Sequence, residues 1–241
     1  MKSVGIILAA GRGVRLGNLT AEIPKGLLEI AGMSLIARQV QALRAFDIKD
    51  IYAVTGFAAD KMKQAFGKEI KYIFNPRWDT ANNIYSLYLA GEIAADGFVL
   101  INSDDFFHRG ILENLLKDGR PDAINVDDFK KLGEEEMKVK LEDGFLRKIN
   151  KTMDPASAQG EYIGIAKFGA EGAKELFEIL DDFVRRDDLD GWYEEAFDVL
   201  ADKRPIVGVS TGGLPWIEID TPQDLEMARK EVVAAIAKEC K

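Results

Sequence analysis

Three groups of residues in this chain have the types and spacing to act on phosphate esters. The first follows an apolar run that opens into Leu8-Ala9-Ala10-Gly11-Arg12-Gly13-Val14-Arg15-Leu16, and then Pro24-Lys25. A strand that opens into a glycine-bearing loop leaves backbone N–H groups free to surround phosphate oxygens. Arg15 and Lys25 add fixed positive charge to that cradle. The loop departs from both common phosphate-loop patterns: position 16 is Leu where a dinucleotide fingerprint needs its third Gly, and no Gly-Lys-Ser/Thr follows. The second group is acidic. Asn102-Ser103-Asp104-Asp105 closes one apolar run and Glu218-Ile219-Asp220 closes a later one. Carboxylates at strand ends suit Mg²⁺, a hard ion that takes oxygen ligands. The third group is aromatic and acidic: Glu161-Tyr162, Asp190, Trp192-Tyr193-Glu194 and Trp216. Rings and carboxylates together can hold an ammonium group, and the same Trp and Tyr residues serve equally well as ordinary core.

The elements that must position these groups follow from hydrophobic periodicity. Strands are expected at Ser3–Leu8, Ile51–Thr55, Ile70–Phe74 and Phe98–Asn102, with helices at Ser34–Phe46, Ala58–Phe66 and Asn82–Ile93. This βαβ rhythm predicts an α/β fold with a doubly wound, mostly parallel sheet, whose ligands sit beyond the carboxyl ends of the strands. Gly11, Gly56, Asn75 and Asp104 each follow an expected strand and so converge on one cleft. From about Pro121 the rhythm changes to shorter strands at Ala123–Val126, Glu136–Leu141, Phe145–Asn150 and Tyr162–Phe168. These suggest a small antiparallel annex for a second substrate. Helices at Glu171–Arg185 and Trp192–Ala201, strands at Ile206–Val209 and Trp216–Ile219, and a helix capped by Thr221 and Asp224 complete the chain. The reading is one domain over 1–241, with a nucleotide-binding half at 1–120 and an acceptor-binding half at 121–241.

Composition bounds the partners. The 241 residues carry a net charge of −9, which argues against nucleic acid and anionic membranes. Anionic substrates must therefore meet local cations or a metal. The single Cys, Cys240, excludes an intrachain disulfide and points to a reducing, cytoplasmic setting. The apolar run from Val4 to Ala10 is too short to span a bilayer and reads as a core strand. A homodimer is compatible with the sequence.

The ordering Leu-Ala-Ala-Gly-x-Gly-x-Arg-Leu and then Pro-Lys resembles the nucleotidyltransferases that make sugar nucleotides and CDP-alcohols. The resemblance implies that the loop from Leu8 through Ala9, Ala10, Gly11, Arg12 and Gly13 holds a nucleoside triphosphate. It implies that Arg15 and Lys25 bind the phosphates as the catalytic pair, and that Asp104 and Asp220 hold Mg²⁺. Many members have Asp where this chain has Asn102. The segment Asn75-Pro76-Arg77-Trp78-Asp79-Thr80-Ala81-Asn82-Asn83-Ile84-Tyr85-Ser86-Leu87-Tyr88 closely resembles bacterial phosphocholine cytidylyltransferases and the related enzymes acting on 2-aminoethylphosphonate.

That likeness assigns cytosine recognition to Asn75, Thr80, Asn82 and Ser86, whose polar groups suit the base edge; Asn82 also reads as a helix cap. It assigns the acceptor to Glu161, Tyr162, Asp190, Trp192, Tyr193, Glu194 and Trp216. Lys151 reads either as an acceptor-phosphate ligand or as a solvated lysine, and His108 as the start of a helix. The implied reaction joins CTP and a small phosphorylated or phosphonate acceptor, releasing pyrophosphate. The rivals are a sugar- or inositol-1-phosphate nucleotidyltransferase and a non-catalytic nucleotide-binding subunit. Retention of Arg15, Lys25, Asp104 and Asp220 together speaks against the latter.

Overall fold

The computed structural model describes residues 3–239, so Cys240 lies outside the described residues. The chain opens with β1 (Val4–Ala9), a 3-10 segment over Val14–Thr20, and a short hairpin of β2 (Glu29–Ile30) and β3 (Met33–Ser34). Next come α1 (Leu35–Ala45), β4 (Ile51–Thr55), α2 (Ala59–Phe66), β5 (Lys71–Phe74), α3 (Asn83–Tyr88), β6 (Gly97–Asn102), β7 (Asp105–Phe107) and α4 (Arg109–Lys117). The second half runs through β8 (Ala123–Asp127), β9 (Lys138–Glu142), β10 (Phe145–Asn150), β11 (Gly160–Gly169), α5 (Ala170–Arg185) and α6 (Glu194–Ala201). It ends with β12 (Val207–Ser210), β13 (Trp216–Glu218), α7 (Pro222–Met227), a π-helical turn and α8 (Val233–Glu239).

One nine-stranded sheet runs in the order β5-β4-β1-β6-β11-β8-β12-β10-β9. The pairs β5–β4, β4–β1 and β1–β6 are parallel, as the βαβ rhythm predicts. The expected annex is the antiparallel continuation of the same sheet, entered where β11 pairs with β6, with β12–β8 as a parallel pair inside it. Side chains alternate across β1. Ile6 and Leu8 join the core under α3, α5 and α6, while Ile7 and Ala9 join the one under α1, α2 and α4. Burial on both faces explains the unbroken apolar runs.

The helix expected over Asn82–Ile93 is helical only to Tyr88. Gly91, Ile93 and Gly97 then close successive i→i+3 turns, which carry the chain round to β6. His108 caps α4, with its Nδ1 accepting from Gly110 N at 3.0 Å. Among the described residues, no helix is long and apolar enough to cross a membrane.

Two features outside the sheet set up its carboxyl edge. β7 and β13 form a separate antiparallel ribbon with Glu218 opposite Asp105. A third core, built from Leu16, Leu28, Phe106, Ile219, Leu225 and Val232, fastens the C-terminal helices beneath the glycine loop. The junction is locked by a capping box in which Thr221 Oγ1 accepts from Asp224 N at 3.2 Å, and Asp224 Oδ2 accepts from Thr221 N at 2.7 Å. Replacing Thr221 by Ala is expected to cost about 1 kcal/mol in urea denaturation, the usual loss for a helix cap. An unchanged unfolding midpoint would show that packing alone holds the junction.

Candidate active site

β1 delivers its last residues to the cleft, and Ala10 accepts from Phe57 N at 3.0 Å, which ties the loop to the end of β4. Gly13 has φ +68°, in the left-handed region that glycine tolerates. Its carbonyl accepts from Thr20 Oγ1 at 2.8 Å and from Leu16 N at 3.1 Å. The loop is thereby closed on itself, with Gly11 and Gly13 on the cleft wall. The whole cleft measures about 420 Å³.

Its charged centre is Lys25, whose Nζ lies 2.6 Å from Asp104 and 2.5 Å from Asp220. Arg15 also pairs with Asp220. Burial would lower the Lys25 pKa, but the charges of Asp104 and Asp220 outweigh it and raise it above the usual lysine range. Desolvation would likewise raise Asp220, yet Lys25 and Arg15 hold it below the usual carboxylate range. Asp104, Glu218 and Asp220 offer carboxylate oxygens that all lie within 4.8 Å of one another. Glu218 is pushed up to about 8 by loss of water and by the charges of Asp104 and Asp220. The ribbon register brings these acids together, with Ile219 N donating to Asp104 O at 3.0 Å. Behind it Gln39, buried on α1, donates from Nε2 to Asn102 O and Asp105 O, each at 2.9 Å. An all-oxygen cluster of this kind fits a hard divalent cation. Glu218 is a member of this cluster that the sequence expectation of Asp104 and Asp220 alone leaves out; its signal in the sequence is the Glu-x-Asp spacing that ends in Asp220.

The Asn75–Ser86 segment is largely occupied with holding itself. Asn75 Nδ2 donates to Ser86 Oγ at 2.9 Å, and Asn75 Oδ1 accepts from Arg77 N at 2.8 Å. Asn82 caps α3, its Oδ1 accepting from Asn83 N at 2.7 Å, and its Nδ2 donates to Asp190 O at 3.0 Å. Asn83 Oδ1 accepts from Tyr193 N at 2.9 Å. Asn82 and Asn83 thereby brace the loop before α6, and both line the cleft.

The cleft brings together Leu8, Ala10, Gly11, Gly13, Arg15, Lys25, Asn75, Asn82, Ser86, Asp104 and Asp220 with Glu161, Tyr162, Trp192, Glu194 and Trp216. Other expected residues stand off it. Ala9 turns into the core, and Arg12 lies over the Phe57 ring at 5.2 Å. Gly56 sits behind Trp78, where a Cβ would come within 2.3 Å of the Trp78 Cβ. Thr80 and Asp190 are exposed outside the lining, Asp190 contributing its carbonyl to Asn82. Tyr193 is fully buried: its hydroxyl donates to Asn102 Oδ1 at 3.1 Å and meets the Tyr162 hydroxyl at 3.1 Å. Asn102 thus spends its side-chain oxygen on Tyr193. Trp78, Asn83, Met137, Gly164 and Glu218 also line the cleft without having been assigned to it, and Lys151 lines it too.

Comparison with known proteins bears on this geometry. Residues 5–131, more than half of the chain, match the family model of the MobA-like NTP transferase domain. The chain belongs to that family. Within it, the chain is 28% identical over 246 residues to the bifunctional IPC transferase and DIPP synthase of Aquifex aeolicus, which covers 99% of this chain and 54% of the relative. It is 35% identical over 114 residues to the choline-phosphate cytidylyltransferase of Streptococcus pneumoniae, covering 46% of this chain and 48% of the relative. The matched stretches thus cover about half the length of each of these curated relatives. By contrast, the CTP:phosphoglutamine cytidylyltransferase of Campylobacter jejuni is 26% identical over 92% of this chain and 97% of its own. The solved structure of the S. pneumoniae CTP:phosphocholine cytidylyltransferase has the same fold, with TM-score 0.80 at 24% identity over 95% of this chain and 99% of that one. So does the T. maritima inositol-1-phosphate CTP transferase, with TM-score 0.80 at 21% identity over 97% and 94%.

Glu194 supplies a stability test. Burial raises its pKa from 4.5 to about 7, against its own backbone N–H, the Tyr193 side chain and the charge of Lys151. A carboxyl whose folded pKa is raised favours the folded state below pH 4.5 and loses that contribution as pH rises through about 7. Glu194→Gln cannot ionise, so its stability relative to wild type should be flat in acid and grow by about 3 kcal/mol across this window. Urea denaturation of both proteins over the window checks this, and a difference that does not vary with pH would contradict it.

Proposed function

We propose that the protein transfers CMP from CTP to a small phosphorylated or phosphonate acceptor bearing an ammonium group, releasing pyrophosphate. The observation that carries the reading is one cleft in which the glycine loop, the Lys25-centred acid cluster and an acidic-aromatic wall meet. The names of the cytidylyltransferase relatives support CTP as donor, and those of the phosphocholine and aminopropylphosphonate enzymes support the acceptor class. An acceptor phosphate or phosphonate oxygen attacks the α-phosphorus in line. A P–O bond forms to the acceptor, and the α-phosphorus bond to its bridging oxygen breaks, leaving its electron pair with pyrophosphate. The nucleophile is already ionised, so no side chain need remove a proton.

Catalysis is then positioning and charge neutralisation. Backbone N–H groups of the loop, with Arg15 and Lys25, bind the triphosphate. Lys151 holds the acceptor phosphate. Asp104, Glu218 and Asp220 would hold Mg²⁺, which supplies Lewis-acid charge neutralisation when bound. As Lys25 and Arg15 turn to phosphate oxygens, they free those carboxylates.

A second reading, transfer to an inositol or sugar 1-phosphate, is favoured by the likeness to the T. maritima inositol-1-phosphate CTP transferase, together with the IPC transferase relative that aligns along 99% of this chain.

Pyrophosphate release with each of the four nucleoside triphosphates and with phosphocholine, 2-aminoethyl acceptors and inositol 1-phosphate separates the readings. CTP with an ammonium-bearing acceptor should be the best pair. Preference for UTP or for a neutral polyol phosphate would favour the second reading. Lys25→Ala and Arg15→Ala should each lower turnover by about 10²–10³, the usual loss of one preorganised charge contact. Near-normal turnover would remove that residue from the catalytic set. Asp104→Asn and Asp220→Asn should each raise the Mg²⁺ concentration giving half-maximal rate, and unchanged values in both would remove the acid cluster as the metal site.

A further inference from the structure

The acceptor wall contains a polar atom that the protein leaves unsatisfied. Glu194 is 5% exposed, yet no hydrogen-bond donor reaches its Oε2. It lines the cleft together with Tyr162, Trp192 and Trp216. A buried acceptor without a donor is costly, so each such atom calls for a partner that the folded chain does not supply. The other buried carboxylate of the wall, Glu161, also lacks an aligned hydrogen-bond donor at Oε2, but there a cation of the chain already stands as its ion-pair partner, Lys130 Nζ at 2.7 Å.

The aromatic rings are in the opposite condition. Lys151 Nζ stands over the Trp192 ring at 5.1 Å from its centre, and Lys130 Nζ over Trp216 at 5.6 Å. Both indoles therefore already carry a cation of the chain on one face. Displacing Lys130 would also strip Glu161 of its ion pair. Trp216 is held further by Nε1, which donates to Asp127 Oδ2 at 2.7 Å. The wall thus has a hydrogen-bond acceptor to fill, while each indole already has a cation of the chain over one of its faces.

We infer that the site selects an acceptor whose ammonium is primary, with N–H groups to donate to Glu194, over one that ends in trimethylammonium. This rests on the reading that the acceptor is an ammonium-bearing phosphate or phosphonate. A primary ammonium has three N–H donors. Trimethylammonium offers only methyl groups to Oε2 and needs an aromatic face to itself. A site built to hydrogen-bond a substrate group rejects the analogue that lacks it more strongly than an apolar pocket rejects extra bulk.

The test compares kcat/KM of wild type and Glu194→Gln at saturating CTP for 2-aminoethyl phosphate, 2-aminoethylphosphonate and phosphocholine. In wild type the aminoethyl compounds should exceed phosphocholine by about ten- to hundredfold, the range for a hydrogen bond to a charged group. In Glu194→Gln that ratio should fall by about tenfold or more, since the amide keeps the shape and loses the charge. Calorimetric binding of 2-aminoethyl phosphate and phosphocholine to both proteins gives the same ratio without turnover. Equal or better use of phosphocholine by wild type overturns the inference and leaves the CTP-dependent reading standing. A ratio unchanged in Glu194→Gln also overturns it. Pyrophosphate release with inositol 1-phosphate and with none of the ammonium-bearing acceptors overturns both.

Discussion

The site depends on one ammonium group held between carboxylates. Asp104, in the turn before β7, meets Glu218 and Asp220 at the end of β13, and two like charges about 4 Å apart repel by roughly 4 kcal/mol at the effective dielectric of a protein surface. Lys25 Nζ, within hydrogen-bond reach of both Asp104 and Asp220, offsets that repulsion. Much of the surrounding architecture serves to hold this contact. The β7–β13 ribbon sets the register of the acids, Gln39 pins the turn behind Asp104, and the Thr221–Asp224 capping box fixes the chain just after Asp220.

That arrangement also explains how a protein of net charge −9 can receive a triphosphate. The positive charge is local: Arg15 and Lys25 beside the glycine loop, with Lys151 on the same cleft. Before substrate arrives, two of these cations are paired with the acids. An incoming polyanion would exchange partners with a set of charges already in balance, so it is not asked to enter an unscreened field.

The nucleotide and acceptor halves are joined mechanically by the asparagine run. Asn82 and Asn83 reach from the start of α3 to Asp190 O and Tyr193 N, and Tyr193 continues through its hydroxyl to Asn102 at the end of β6. Tyr193, expected to hold an ammonium, and Asn82, expected to read a base, thus serve as hydrogen-bonding ties between the two halves.

The sequence by itself determined the local features. Unbroken apolar runs set the parallel strands and helical periodicity set the helices between them, and Gly13 and Thr221 announced their turn and cap, because these depend on neighbours in the chain. It also determined the ends of β1 and β6, hence the placement of the glycine loop and Asp104 at one sheet edge. Only the tertiary structure decided what depends on distant pairing. Glu218 joins the acids because β13 pairs with β7, more than a hundred residues earlier. The antiparallel strands became a continuation of the main sheet because β11 pairs with β6. Tyr193 went to the core while Glu194, its neighbour, stayed on the cleft with an oxygen unpaired. Adjacent residues of a chain entering a helix point in different directions, and composition cannot say which one meets the core. The packing of α6 against the sheet does.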